Sequence, residues 1–387
     1  MVSESIKLLF FPAPEPATPL GRYRLLAPNA AIRVSPLQLG TMSLGTAWDG
    51  FGEVTKDDAF RTLDTYFDAG GNFFDAANMY QNEQSEEWLG EWMETRGVRD
   101  RCVVGTKYTA DYRMHALGKG QAVNYGGNSK LSLHLSVRDS LKKLRTDYVD
   151  ILYLHWWDYS ASIEEVMDSL HLVVQQGKAL YLGISNTPAW IVAAANAYAK
   201  AHGKTQFVIY QGAWSATQRD LERDVVPMAK HFGMAIAPYG AAGSGRYKTA
   251  AHIAAKAAEP GVGAVFRHSM EQTEAEAKMS VVLDKIAGEV GVKSLTAVAL
   301  AYVLAKAPDV FPVVGGRKVE HLLENIEALK IRLSAEQIAE IEGVERFDVG
   351  WPVNAAGGNI HDQGAMNGNM TASAHVDVVR SPRAIGY

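Results

Sequence analysis

The 387-residue chain holds a single cysteine, Cys102, so no internal disulfide can staple it, and packing inside an apolar run is that thiol's simplest use. No basic run or stripe accompanies the formal net charge of −5. Nothing therefore answers to a phosphate backbone or an anionic bilayer, which argues against nucleic acid and membrane partners. No stretch approaches the ~20 apolar residues of a membrane helix. The start, MVSESIKLLFFPAPEPATPLGR, has neither the basic leader nor the apolar length of a signal peptide. A cytoplasmic location is the expectation. Chemical signatures are missing as well: no GxGxxG, GxSxG or HExxH occurs, and Gly203-Lys204-Thr205 has Tyr198 where a phosphate loop needs glycine. These absences disfavour a Rossmann dehydrogenase, a serine hydrolase and a zinc protease, and no metal site is expected.

What is present is an alternation. The apolar runs QLGTMSLG, NFFD, CVVGTK, VDILYLHWW, ALYLGIS, QFVIYQGAW, MAIAPYG and VFPVVGG alternate with amphipathic stretches such as AFRTLDTYFDA, SEEWLGEWMETR and IEEVMDSLHLVVQQ. Strands apolar on both faces, joined by helical crossovers, predict an α/β protein built as a closed parallel (β/α)8 TIM barrel. Such barrels commonly run to ~250 residues and more, so one domain over 1–387 is expected, with its core at about 22–344. RYRLLA and AIRVSPL flank Pro28 and Asn29 and predict an N-terminal hairpin. Tyr108–Ser129 and Ala241–Gln272 read as long rim loops, and the tail 345–387 is expected near the pocket mouth.

Chemistry in such barrels sits at the carboxyl ends of the strands. Asp75 and Tyr80 follow the NFF strand, Lys107 ends CVVGTK, and His155 ends VDILYLH. Singly, Asp75 could cap a helix, Lys107 could be a surface charge and His155 a satisfied core histidine. Together they place an acid, a phenol, an amine and an imidazole on one rim.

The runs GTMSLG, NFFDAANMYQNEQSEEWLG, VGTKY, LYLHWWD, YLGISN and VVGGRKVEHLLEN resemble the aldo-keto reductase superfamily from Arg22 to about Val344. FFPAPEPATPLGRYRLL with SPLQLGTMSLGTAWDG more narrowly resembles fungal aryl-alcohol dehydrogenases and norsolorinic acid reductases. The resemblance implies that Asp75, Tyr80, Lys107 and His155 are a catalytic tetrad. With reference pKa values of ~3.9 for Asp and ~10 for Tyr, only the phenol still carries a proton near neutrality, so Tyr80 would be the acid. Lys107 would lower the pKa of Tyr80, Asp75 would keep Lys107 charged, and His155 would orient the carbonyl.

The resemblance also implies NADP(H). It places Gly40, Thr41, Met42 and Asp75 near the nicotinamide half, Ser185, Asn186 and Gln211 on the carboxamide, and Trp214 as the stacking ring. The pyrophosphate would lie along Ala237, Tyr239, Gly240, Ala241, Gly243 and Arg246. Gly315, Arg317, His321, Glu324 and Asn325 would take the adenosine end, with the Arg317 guanidinium suited to a 2′-phosphate. Trp48, Tyr112 and Trp156 are candidate pocket aromatics for a flat aldehyde or alcohol, since offset stacking contributes ~0.5–1.5 kcal/mol per pair. The expected activity is NADPH-dependent aldehyde reduction and the reverse oxidation of aryl alcohols. The alternatives are a nucleotide-sensing regulatory subunit of the same fold, like potassium-channel beta subunits, and a barrel hydrolase or lyase using Asp75 and Lys107. The oligomeric state is not legible in the sequence.

Overall fold

A computed structural model describes residues 9–48, 54–249, 252–253, 272–382 and 384. Eight parallel strands follow one another around a ring: β3 (Gln38–Gly40), β4 (Phe73–Asp75), β5 (Val103–Tyr108), β6 (Val149–Leu154), β7 (Ala179–Ser185), β8 (Phe207–Ala213), β9 (Ala235–Tyr239) and β10 (Val313–Val314), the last pairing back to β3. Closure comes from the residues just before β10. Ile236 on β9 bridges Val310, with Ile236 N–H donating to Asp309 O at 2.8 Å and Phe311 N–H to Ile236 O at 2.8 Å. The ring is thus a (β/α)8 barrel, as the alternation predicts. Every residue of β5 and β6 is buried, the signature of strands covered on both faces.

The hairpin of β1 (Arg24–Ala27) and β2 (Ala30–Val34) plugs the amino-terminal end of the ring. Leu26, Ala27, Ala30 and Val34 pack with Phe73, Val103, Ile151 and Phe311, which lie at or near the starts of their strands. Arg24 ties the plug down, donating to Val310 O at 3.2 Å and stacking over Phe311 at 4.7 Å. Higher in the bore, Tyr153 fills the space that two glycines leave: a Cβ at Gly105 or Gly183 would come within 2.9 or 2.4 Å of its ring. With the amino-terminal end plugged and the middle filled by described residues, the bore opens toward the carboxyl rim; a separate surface cleft lined by Tyr23, Arg33, Phe67, Asn72 and Arg101 lies outside the plugged end.

Several helices start at side-chain caps that stop the chain unravelling. Thr55, Ser129, Ser162, Thr273, Ser294 and Ser334 each accept from the N–H three residues on, a contact whose loss costs ~1 kcal/mol. Helix Gln84–Arg96 crosses the end of helix Lys130–Lys143 so closely that a Cβ at Gly90 would sit 2.3 Å from Lys143 O. That contact later matters to the site. Cys102 is buried, and burial pushes its thiol up to about 12, so it behaves as a small core side chain.

Differences from the sequence reading are local. QLGTMSLG divides into the strand Gln38–Gly40 and its exit loop, as expected, while the expected strand VFPVVGG shrinks to Val313–Val314, with Val310 forming an isolated bridge to Ile236. The Tyr108–Ser129 loop contains a short helix, Met114–Leu117. Residues 254–271 of the second rim segment lie outside the described residues. The tail makes described contacts beside the β8 exit turn and with the helix Val225–His231. Phe347 lies between the guanidinium groups of Arg219 and Arg223, each 5.0 Å away, and Asp362 meets Lys230 at 3.1 Å. Among the described residues no single helix is long and apolar enough to cross a membrane, and no cluster of three or more His, Cys, Asp or Glu could hold a metal.

Candidate active site

The four rim residues meet. Lys107 leaves the end of β5 fully buried, and its ammonium finds a partner for each of its three protons. Nζ lies 2.7 Å from Asp75 Oδ1, 2.7 Å from Ala76 O and 3.4 Å from the Tyr80 hydroxyl. Asp75 accepts in addition from Gln211 Nε2 at 2.8 Å. A buried ion pair persists only when its remaining valences are met like this.

Burial works against charge on Lys107, yet Asp75 and Tyr80 outweigh it and hold the ammonium above its usual range. Tyr80 departs from expectation. Burial pushes its phenol above the usual value, against the downward pull of the Lys107 ammonium, while Asp75 adds to the rise. The lysine alone would lower the phenol, and desolvation of an almost enclosed phenolate is the larger effect. Burial, then Lys107, push the His155 imidazole down to about 3, so it is neutral at physiological pH. Among the described residues its buried Nδ1 meets no hydrogen-bonding group.

Above Tyr80 stand three rings. Trp48 approaches it edge-on at 6.1 Å, His155 at 5.9 Å, and Trp156 packs against His155 at 5.0 Å. Trp48 and Trp156 thus share the rim with Tyr80. Tyr112 does not join them: it is buried, donates to Asp139 at 2.7 Å and lies under the Lys143 ammonium at 5.0 Å.

Around the other half of the rim, Asn186 sits in the left-handed region (φ 46°) that asparagine tolerates better than most residues. Its amide donates to Ser185 Oγ at 3.0 Å and to His155 O at 3.2 Å, and its carbonyl accepts from the Tyr239 hydroxyl at 3.0 Å. Ser185, Asn186, Gln211 and Tyr239 therefore line the ends of β7, β8 and β9. Two rings stand near this part of the rim. Trp214, the expected stacking ring, is 1% exposed and donates Nε1 to Glu222 at 3.0 Å, whereas Tyr239 is 39% exposed.

Past Tyr239 the chain coils tightly through Gly240 (φ 69°), Ala241 and Gly243 (φ 76°). A Cβ at Gly243 would strike the Tyr247 ring at 2.4 Å, and Arg246 is held to Glu276 at 2.7 Å. Next along the same rim, Gly40 lets β10 close in, since a Cβ there would meet Val313 at 2.8 Å. Thr41 donates its backbone N–H to Asp75 O at 2.9 Å, and Met42 is exposed beside it. Gly315, Arg317, His321 and Glu324 are exposed around the start of helix Val319–Glu327, and Asn325 is buried behind them.

A second charged cluster, with no signal in the sequence, lies beside the first. Lys143 Nζ lies 2.7 Å from Glu86 and 3.0 Å from Glu83, and donates to Asn78 O at 3.0 Å. Glu83 and Glu86 look like solvated charges of an amphipathic helix, and nothing in SLKKL distinguishes Lys143 from Lys142.

The profile of the aldo/keto reductase family matches residues 36–346. Among individual proteins, the chain is 55% identical to aldo-keto reductase ausK of Emericella nidulans over 388 residues, covering 100% of this chain and 97% of that one. It is 51% identical over 350 residues to aryl-alcohol dehydrogenase (NADP(+)) of Phanerodontia chrysosporium, covering 89% and 91%. To norsolorinic acid reductase A of Aspergillus parasiticus it is 50% identical over 343 residues, covering 88% and 86%.

Proposed function

Because the chain belongs to the aldo/keto reductase family, we propose that it interconverts aldehydes and alcohols with NADP(H), using Tyr80 as the general acid and base. The similarity to an NADP(+) aryl-alcohol dehydrogenase supports both the cofactor and an aryl substrate. The observation that carries the mechanism is the buried Asp75–Lys107–Tyr80 chain, a phenol held against an ammonium at the carboxyl end of the barrel.

The residues present suit the cofactor. Ser185, Asn186 and the carbonyl of Gln211 offer complementary groups for a carboxamide, and the exposed face of Tyr239 suits the nicotinamide ring in place of Trp214. The glycine coil Gly240–Gly243 lets a pyrophosphate approach backbone, and Arg317 suits the 2′-phosphate. When bound, NADPH supplies the hydride.

Tyr80 supplies the proton. As the carbonyl oxygen gains negative charge, the hydroxyl donates to it and leaves a phenolate beside the Lys107 ammonium, which retakes a proton from solvent. A raised phenol pKa suits this direction, since the proton is present across neutral pH. Neutral His155 can accept or donate one hydrogen bond without adding charge. Trp48 and Trp156 would bracket a flat ring. Following dihydronicotinamide absorbance with NADPH and a panel of aromatic and aliphatic aldehydes tests the reading: aldehyde-dependent loss is expected, and binding of NADPH without any turnover contradicts it.

A further inference from the structure

The turn carrying Tyr80 is built in an unfavourable backbone conformation. Gln81, Asn82 and Glu83 follow it with φ of 51°, 51° and 80°, three successive non-glycine residues in the left-handed region. Such a run persists only where its surroundings over-determine it. Lys143 supplies part of that constraint, reaching from the last turn of helix Lys130–Lys143 to both flanks of Tyr80. Before Tyr80 it holds the Asn78 carbonyl at 3.0 Å; after Tyr80 it holds the Glu83 carboxylate at 3.0 Å. Glu86, fully buried, closes the cluster at 2.7 Å from Lys143, and accepts from Ser140 and from Thr106, the neighbour of Lys107. On its outer side Glu83 is met by Arg113 at 3.1 Å, so the rim loop carrying helix Met114–Leu117 docks on the same carboxylate.

We propose that Lys143 and Glu83 are positioning residues for Tyr80, clamping the backbone on either side of it so that its hydroxyl stays within reach of Lys107. This rests on the assignment of Tyr80 as the proton donor. Neither side chain touches substrate; both act through the turn. Asn78 strengthens the coupling, because its own N–H donates to Lys107 O at 3.1 Å, so one residue is pinned by both lysines.

The test is a double-mutant cycle on aldehyde reduction, with NADPH binding followed separately by fluorescence. Lys143→Met should lower kcat by about 10- to 100-fold while the NADPH dissociation constant moves less than about threefold, and Lys143→Arg should restore most of the rate. In a Tyr80→Phe background the same Lys143→Met change should have almost no further effect on the residual rate, as expected of groups acting as a unit. Should Lys143→Met fail to fold, Glu83→Gln, which leaves Lys143 paired with Glu86, carries the same cycle and should cost about 5- to 20-fold in kcat. An equal loss in both backgrounds, or an unchanged kcat in a folded variant, overturns the proposal. A parent protein that binds NADPH but reduces no aldehyde, or a Tyr80→Phe protein as active as its parent, overturns the underlying functional reading instead.

Discussion

Lys107 Nζ stands 2.7 Å from Asp75 Oδ1, and neither group is open to bulk water. The pair is stable only as a pair. Removing the cation by Lys107→Met leaves a buried carboxylate bonded to Gln211 alone, which should cost ~3–5 kcal/mol and appear as a large drop in thermal midpoint.

The pH dependence follows from the directions of the shifts. Tyr80 is raised above its usual value, so the phenol keeps its proton through neutral pH and aldehyde reduction should be flat there. Alcohol oxidation needs the phenolate, and its rate should climb only as pH passes the ordinary tyrosine range near ~10. Lys107→Met removes the one large downward pull and should move that climb higher still. His155 stays neutral down to about 3, so no inflection is expected near ~6.5. Rate profiles in both directions check this; a bend near neutrality abolished by His155→Phe would show that His155 titrates during turnover.

Cofactor choice rests on Arg317. If its guanidinium holds the 2′-phosphate, Arg317→Ala should weaken NADPH binding by ~1.5–3 kcal/mol and leave NADH nearly unchanged. Fluorescence titration with both cofactors decides it, and equal losses would remove Arg317 from that role.

Exposure separates two aromatic residues near the proposed nicotinamide site. Tyr239→Leu should weaken cofactor binding with little change in thermal midpoint, because the ring is part-exposed and stacking contributes ~0.5–1.5 kcal/mol. Trp214→Leu should do the reverse, chiefly lowering stability, because its indole is buried and bonded to Glu222. Parallel melting curves and cofactor titrations separate the two.

The barrel was legible because its strands are apolar on both faces and punctuated by capped helices, a pattern that survives without any tertiary information. Asp75, Tyr80, Lys107 and His155 were legible for a related reason: each follows an apolar run, and the ends of such runs converge wherever the barrel closes. Less local facts were hidden. Trp214 and Tyr239 stand at the ends of β8 and β9, and their very different exposure, with Trp214 bonded to Glu222, comes from tertiary packing that the linear sequence does not mark. Lys143 lies 63 residues beyond Tyr80 in the chain and meets its turn through the close helix crossing at Gly90, which a linear reading cannot supply. The raised Tyr80 pKa was missed because burial, unlike a neighbouring charge, has no single residue to mark it.

The central claim is that Tyr80 gives the proton, and Tyr80→Phe tests it most directly because it keeps the ring and deletes only the hydroxyl. Single-turnover reduction of a benzaldehyde-type substrate by the NADPH-saturated variant should slow by ~10²–10⁴, with fold and NADPH affinity retained. A variant that reduces the aldehyde at close to the parent rate, with the same cofactor affinity, would mean that the proton comes from another group and that the mechanism is wrong.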